Sequence, residues 1–231
     1  MVVACRQADH PVEISLPETR IIGQLRAGDG SRGIVIFANG VGARRFAHRD
    51  GQIASVLHRH GLATLMLRLL LPDEERLPEA LFNVGLLAER LVRAIDWLGD
   101  SEWMNGWPVG LIGAGTGAGA ALVAAARRPG RVDAIVSRGG RPDLAIDWLD
   151  EVEAPTLLIV GGADLHVAQL NKSALAGLNG CECALAVVPD ATHLFPEPGA
   201  IEEVARLARD WFVRHLNGGE AGDHGVGIQE G

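Results

Sequence analysis

The sequence is short of cysteine, of positive charge and of long apolar runs, and each shortage excludes a class of protein. The three cysteines, Cys5, Cys181 and Cys183, lack metal-ligand spacing, so we expect reduced thiols, a cytoplasmic location and neither a metal nor a cofactor. The formal net charge of −8 argues against nucleic acid as a partner. The apolar stretch 62–71 contains Arg68 and is shorter than the roughly 18 residues of a membrane span. We therefore expect neither a nucleic acid nor a membrane as partner, but a small-molecule ligand.

Apolar runs of strand length alternate with amphipathic segments along the chain. This alternation predicts an α/β fold, a single domain over 1–216 with a mostly parallel sheet and helices on both faces. The Gly-rich acidic tail, 217–231, is expected to be disordered. Strands are predicted at 12–16, 20–26, 33–38, 62–69, 132–137, 156–160 and 183–188, with a further strand ending in the small-residue segment that begins at Gly113.

An apolar stripe formed by Leu81, Val84, Leu87, Leu91 and Ile95 predicts one unbroken helix from about 78 to 98. The charged stretch before this helix, residues 70–78, leaves two interpretations open. It either shapes the entrance to a site or is a plain connection.

A corner of small residues, Gly113-Ala114-Gly115-Thr116-Gly117, joins a buried strand to an Ala-rich helix. Two kinds of site use such a corner. One is the nucleophile elbow of hydrolases, in which Gly115 occupies the position of the nucleophile. The other is the dinucleotide-binding turn G-x-G-x-x-A, which would place Arg138 near a 2′-phosphate. That turn normally follows the first strand of its fold, and here several strands precede it.

Chemically useful residues follow four predicted strand ends: Asn39-Gly40, Gly115-Thr116, Asp164 and His193. The carboxyl ends of parallel strands gather functional groups. In this order His193 acts as a general base, and Asp164 orients its imidazole. Alternatively, Asp164 only caps the following helix and His193 is structural.

Taken together, these segments resemble the α/β-hydrolase superfamily, in particular small dienelactone-hydrolase-like proteins. The resemblance rests on the motifs 37–40, 113–117, 137–144, 159–164 and 191–195. It implies Asp164 as the acid, His193 as the base and the amide of Thr116 as an oxyanion donor. A second amide from Gly40 or Val41 would complete the oxyanion hole.

Two positions depart from the pattern of this family. The nucleophile, usually Ser and sometimes Cys, is Gly115, and the His that commonly precedes the oxyanion-loop glycine is Asn39. A glycine cannot form an acyl-enzyme. Three hypotheses therefore stay open: an ester or lactone hydrolase that lost its nucleophile by engineering or divergence, a lyase or isomerase that uses His193 and Asp164, and a catalytically silent binding protein. Use of Thr116 as nucleophile would shift the elbow by one residue.

Arginines also follow these strand ends. Arg45, Arg138 and Arg141 are candidate contacts for an anionic group of a substrate. The alternative is pairing with neighbouring acids such as Asp50 or Asp143.

Overall fold

The computed structural model describes residues 8–28, 30–39, 43–102 and 104–216. The predicted oxyanion residues Gly40 and Val41, Cys5 and the predicted tail 217–231 lie outside this part of the chain. The side chains of Asn39 and Arg45 lie outside it as well.

The described chain forms one α/β-hydrolase domain around an eight-stranded sheet, in the order β1-β2-β4-β3-β5-β6-β7-β8. β1 and β2 form an antiparallel hairpin, and β2 is antiparallel to β4. From β4 onwards all neighbouring strands are parallel, which confirms the predicted sheet. The strands are β1 (Ala8–Ser15), β2 (Arg20–Ala27), β3 (Ile34–Asn39), β4 (Ala63–Arg68), β5 (Val109–Gly115), β6 (Ala134–Gly140), β7 (Thr156–Gly161) and β8 (Cys183–Val188).

The described residues contain six α-helices, and the longer ones cover both faces of the sheet: α1 (Ala43–Arg59), α2 (Pro78–Leu81), α3 (Val84–Gly99), α4 (Thr116–Arg127), α5 (Leu165–Leu175) and α6 (Ala200–Leu216). One core cluster contains α1 and α6 residues such as Ile53 and Phe212. The other contains α3 and α4 residues such as Leu91 and Leu122. The described residues also contain two 3₁₀ segments, Glu74–Arg76 and Pro142–Glu151. No described helix combines the length and apolarity needed to cross a bilayer.

Close packing around β5 explains its small residues. A Cβ built on Gly110 would lie 2.6 Å from the ring of Phe212. A Cβ on Gly113 would lie 2.5 Å from the carbonyl oxygen of Gly117 and 2.6 Å from the backbone of Ala118. Because helix α4 approaches the strand this closely, a side chain at position 113 has no room.

The single helix predicted over 78–98 is wrong, because the chain breaks at Phe82 and Asn83. Asn83 leaves the helical conformation, with φ −80° and ψ 82°, and its side chain accepts a hydrogen bond from the amide of Leu86. Asparagine is a favoured N-cap, so the local hydrogen bond starts a new helix while the apolar stripe continues. The break leaves Phe82 at the protein surface, 62% exposed.

An ion pair fixes the segment that leads to Phe82. Arg90, 6% exposed on α3, places its Nη2 2.7 Å from Oε1 of Glu74 and also donates to the carbonyl of Leu69. Glu74 accepts a further hydrogen bond from the amide of Leu71. The hydrogen bonds from Arg90 lower the pKa of the Glu74 carboxyl. The segment that precedes α2 is therefore held by specific contacts rather than being a plain connection.

β6 is longer than predicted. It continues past Ser137 to Gly140, with Gly139 at a φ of +51°, and every residue of the strand is buried. Arg138, which we placed in a loop, therefore belongs to the sheet.

Candidate active site

The predicted site residues meet at the carboxyl edge of the parallel strands. Gly115 ends β5, Asp164 follows β7 and His193 follows β8. They share a cavity of about 450 Å³. Its walls are formed by Phe82, Ala114, Gly115, Thr116, Arg141, Asp164, His166, Val167, His193 and Leu194.

His193 and Asp164 form a dyad. Nδ1 of His193 lies 2.9 Å from Oδ2 of Asp164, across 29 residues of sequence. The side chain of Asp164 is 16% exposed and that of His193 is 46% exposed. A carboxylate at Nδ1 holds the imidazole in one orientation and leaves Nε2 for proton transfer in the cavity.

Asp164 also caps α5. Its other carboxylate oxygen, Oδ1, accepts a hydrogen bond from the amide of Val167 at 3.3 Å. Asp164 therefore contacts both the first turn of α5 and His193, and its role as the catalytic acid stays a prediction. Because the first turn of α5 holds the carboxylate, its second oxygen has a fixed direction towards His193.

The loop that carries His193 packs tightly on the sheet. A Cβ on Gly139 would lie 2.9 Å from the carbonyl oxygen of His193. Phe195, 2% exposed, anchors the loop at a positive φ of 54° and donates its amide to the carbonyl of Thr192. The hydroxyl of Thr192 bonds Glu197 at 2.6 Å, a contact that lowers the pKa of the Glu197 carboxyl. We did not anticipate these supports, since a positive φ at phenylalanine leaves no sequence signal.

Gly115 forms the sharp turn between β5 and α4. Its φ of 53° and ψ of −125° lie in a region that residues with side chains rarely adopt. The carbonyl of Gly115 accepts a hydrogen bond from the amide of Arg141 at 3.0 Å. Apart from Gly115 itself and its two chain neighbours, no atom of the described residues lies within 4 Å of a Cβ built at this position. The turn thus has room for the side chain that the sequence lacks.

Thr116 begins α4 directly after the elbow. The first amides of a helix have no partner within it, so the Thr116 amide fits an oxyanion donor. The residue is 5% exposed, and its buried hydroxyl has no hydrogen-bond partner in the described part of the chain. Burial of this hydroxyl disfavours Thr116 as a substitute nucleophile. The second donor, from Gly40 or Val41, remains a prediction.

Two of the three candidate arginines are paired with acids. Arg138 does not line the main cavity: its side chain is 3% exposed and its Nη2 lies 2.9 Å from Oδ1 of Asp50. Burial lowers the pKa of Arg138, while Asp50 opposes that change. Arg138 instead borders a narrow void together with Gly115 and His193, and its contact with a substrate anion or a 2′-phosphate stays a prediction.

Arg141 does line the cavity. It forms two hydrogen bonds with Asp143, at 2.8 and 2.7 Å, which raise the pKa of the guanidinium and lower that of the carboxyl. Of the candidate anion contacts, it is the one whose described side chain reaches the cavity.

Apolar side chains form much of the cavity wall and were missed by sequence reasoning. Phe82, Val167 and Leu194 face the cavity together with His166. For Phe82 the N-cap signal of Asn83 was present but was outweighed by the helical stripe. Within the described residues, no group of three or more His, Cys, Asp or Glu side chains is arranged to hold a metal.

Comparison of the sequence and the fold with those of known proteins identifies the family of this chain. The family model described as "Dienelactone hydrolase family" matches residues 71–217. The chain belongs to the dienelactone hydrolase family. A solved dienelactone hydrolase from Anabaena variabilis is 47% identical, with a TM-score of 0.87, and the match covers 91% of this chain and 99% of that one.

A solved structure of low sequence identity shows similarity of the fold alone. Est1E from Butyrivibrio proteoclasticus is 13% identical, with a TM-score of 0.74 over 89% of this chain and 98% of its own. A Mycobacterium tuberculosis protein named "Putative phosphoribosyl transferase" is 50% identical over 210 residues, 91% of this chain. The match is 47% of that relative, so this dienelactone hydrolase family chain spans about half the length of the curated relatives it matches.

Proposed function

We propose that this chain carries the machinery of a small-ester or lactone hydrolase in which the nucleophile alone is missing. The observation that carries the proposal is the elbow at Gly115, which keeps its positive φ of 53° beside a 2.9 Å His193–Asp164 contact. Positive φ costs an L-residue about 1–2 kcal/mol. Glycine adopts this φ without that cost, and the support for a nucleophile position is that the strand-to-helix turn lines the same cavity as the His193–Asp164 pair.

The cavity suits a small, largely apolar acyl compound. Phe82, Val167 and Leu194 supply apolar contacts, and Arg141 offers a cation for a carboxylate on the substrate. The 47% identical Anabaena protein is named a dienelactone hydrolase, which supports a lactone or a short ester.

In the chain as it stands, water replaces the covalent nucleophile. Nε2 of His193 takes a proton from water, and the water oxygen forms a bond to the carbonyl carbon. The carbonyl π electrons move to its oxygen, towards the amide of Thr116. The C–O bond to the leaving group then breaks, and His193 returns the proton to that oxygen. Sites that lose a triad member keep about 10³–10⁴-fold acceleration over water, so we expect slow turnover.

The experiment is ester hydrolysis by Gly115→Ser, with Gly115→Ala as the matched control. Both substitutions place a Cβ in the same strained backbone, but only serine adds a nucleophile. On p-nitrophenyl acetate, p-nitrophenyl butyrate and simple lactones, we expect Gly115→Ser to gain on the order of 10³-fold or more, because loss of a triad nucleophile costs about 10⁶ in kcat. A further His193→Ala change should abolish the gain, whereas His60→Ala, on an exposed residue, should not.

A second function uses the dyad without acyl chemistry. A lyase or isomerase needs an accessible, oriented base for proton abstraction. The side chain of His193 is 46% exposed and is oriented by a carboxylate, so it meets both requirements. Lack of activity in Gly115→Ser, with normal folding, would favour this function or a silent binding protein. We propose no phosphoribosyl transfer, since the relatives with that name are about twice as long as the match.

A cytoplasmic location and a small-molecule partner belong to the proposed hydrolase function.

A further inference from the structure

We propose that the space beside Gly115 admits a small thiol as a second substrate, so that the protein transfers the acyl group of an ester or lactone to that thiol. The inference rests on the proposed function, because it uses the same cavity and the same base. It adds a reaction and a class of acceptor to the cavity.

The first argument is the shape of the site. In the described part of the chain, nothing beyond Gly115 and its two chain neighbours lies within 4 Å of a Cβ at Gly115, and this space borders the 450 Å³ cavity. The side chain of a cysteine nucleophile is a CH₂–SH unit. A small free thiol contains the same unit, so its sulfur can reach the place that a family nucleophile would occupy.

The second argument is the position of the base. Asp164 lies at Nδ1 of His193, at 2.9 Å, so Nε2 is the nitrogen that serves the cavity. His193 lines both the main cavity and a narrow void against Gly115. A nucleophile bound beside Gly115 therefore borders the general base.

Acidity decides between thiol and water as the acceptor. A free thiol has a pKa of about 8.5 and water one of about 15.7, so an imidazole removes the thiol proton far more readily. This difference of about seven pKa units favours ionisation of the thiol by a larger factor than the roughly 10⁴-fold molar excess of water over a millimolar thiol. Thiolates are also strong nucleophiles towards carbonyl carbon. We therefore expect acyl transfer to a bound thiol to outrun hydrolysis for esters and lactones whose leaving oxygen is at least as acidic as the thiol, such as a p-nitrophenyl ester, because the tetrahedral intermediate then expels that oxygen rather than the thiolate.

The reaction balances without an oxidant or reductant. The S–H proton goes to Nε2 of His193, and the sulfur electron pair forms a C–S bond to the carbonyl carbon. The carbonyl oxygen becomes negative beside the amide of Thr116. The C–O bond breaks, and His193 gives its proton to the departing alkoxide. From p-nitrophenyl butyrate the products are a thioester and p-nitrophenol.

The test uses the purified unaltered chain with p-nitrophenyl butyrate and 2-mercaptoethanol, and detects the thioester by chromatography and mass spectrometry. We expect thioester formation to saturate with thiol and to exceed the protein-free reaction by about 10²-fold. His193→Ala should lose this activity, and His60→Ala should keep it. Cys181 and Cys183 are unchanged in His193→Ala, so that variant also measures any acylation of the chain's own thiols.

Filling the space gives the second arm. Gly115→Ala should lower the thiol-dependent rate at least tenfold, because its methyl group takes the position of the acceptor, and Gly115→Ser should hydrolyse esters without responding to thiol. Equal thioester formation with His193→Ala, or with no protein, would overturn the inference. If Gly115→Ser hydrolyses esters but the unaltered chain forms no thioester with added thiol, this inference is contradicted and the proposed function is still supported. If neither ester hydrolysis by Gly115→Ser nor thioester formation by the unaltered chain is detected, both the proposed function and this inference are contradicted. If the unaltered chain forms the thioester but Gly115→Ser does not hydrolyse esters, the transfer reaction alone is supported.

Discussion

Asp164 divides its two carboxylate oxygens between a helix and His193. Oδ2 lies 2.9 Å from Nδ1 of His193, and Oδ1 accepts the amide of Val167 at 3.3 Å. The contact that starts α5 thereby also fixes the direction of the acid towards the base. The contact with the helix and the contact with His193 thus use different atoms of one side chain.

Substitutions at Asp164 should separate these two contributions. Asp164→Asn keeps an oxygen for the Val167 amide, so we expect little loss of stability, whereas Asp164→Ala should cost about 1 kcal/mol in the free energy of unfolding. In the Gly115→Ser background both should lower kcat, by about 10⁴ for Asp164→Asn, because the imidazole loses its charge partner. Urea unfolding and ester kinetics measure the two effects. Equal loss of stability in both variants would show that the cap contributes nothing.

Phe82 should set the preference for apolar acyl groups. Its side chain is 62% exposed and lines the cavity, so a substrate can cover it while the protein core does not need it. In the Gly115→Ser background we expect Phe82→Ala to raise KM for long-chain esters roughly tenfold, since an aromatic contact of this size is worth about 1.5–3 kcal/mol. Ile146→Ala, at an equally exposed residue that does not line the cavity, is the control. If KM rises equally for acetate and for long-chain esters, Phe82 has no role in selectivity.

The Arg138–Asp50 pair should act on stability rather than on substrate binding. Both side chains are 3% exposed, so removing one partner leaves a buried charge. We expect Arg138→Met alone to cost about 3–5 kcal/mol, and Arg138→Met with Asp50→Leu to recover most of that. Urea unfolding of the single and double variants tests this. A double variant no more stable than Arg138→Met would contradict it.

The Arg90–Glu74 pair should make stability depend on pH. The hydrogen bonds from Arg90 lower the pKa of Glu74 below its ordinary value of 4.5. A carboxyl with a lowered folded pKa stabilises the protein above the unfolded value, and this contribution disappears as the pH falls through the folded value. The difference in unfolding free energy between the unaltered chain and Glu74→Gln should thus be large at pH 7 and small at pH 3. Glu79→Gln, on an exposed residue of α2, should show no such trend.

Local patterns in the sequence were sufficient for the strands and for the meeting of the site residues. The carboxyl ends of parallel strands share one edge, so the order Gly115, Asp164, His193 already predicted their proximity. Pairing of the arginines with acids such as Asp50 was left open by the sequence, but nothing in it assigned Asp50 to Arg138, which is 88 residues away.

The errors came from local hydrogen bonding that competes with periodicity. The stripe from Leu81 to Ile95 is real, yet the side chain of Asn83 accepts the Leu86 amide and ends the helix there. The same limit applies to Phe195, whose positive φ depends on tertiary packing and not on its own preference.

The most direct measurement is the ratio of kcat/KM for p-nitrophenyl butyrate between Gly115→Ser and Gly115→Ala. The two variants share the strained elbow and differ by one hydroxyl group. A ratio of about 10³ or more, lost on His193→Ala, is expected if the dyad, the oxyanion donor and the cavity are intact. A ratio near one, in two variants that both fold, would contradict the hydrolase function.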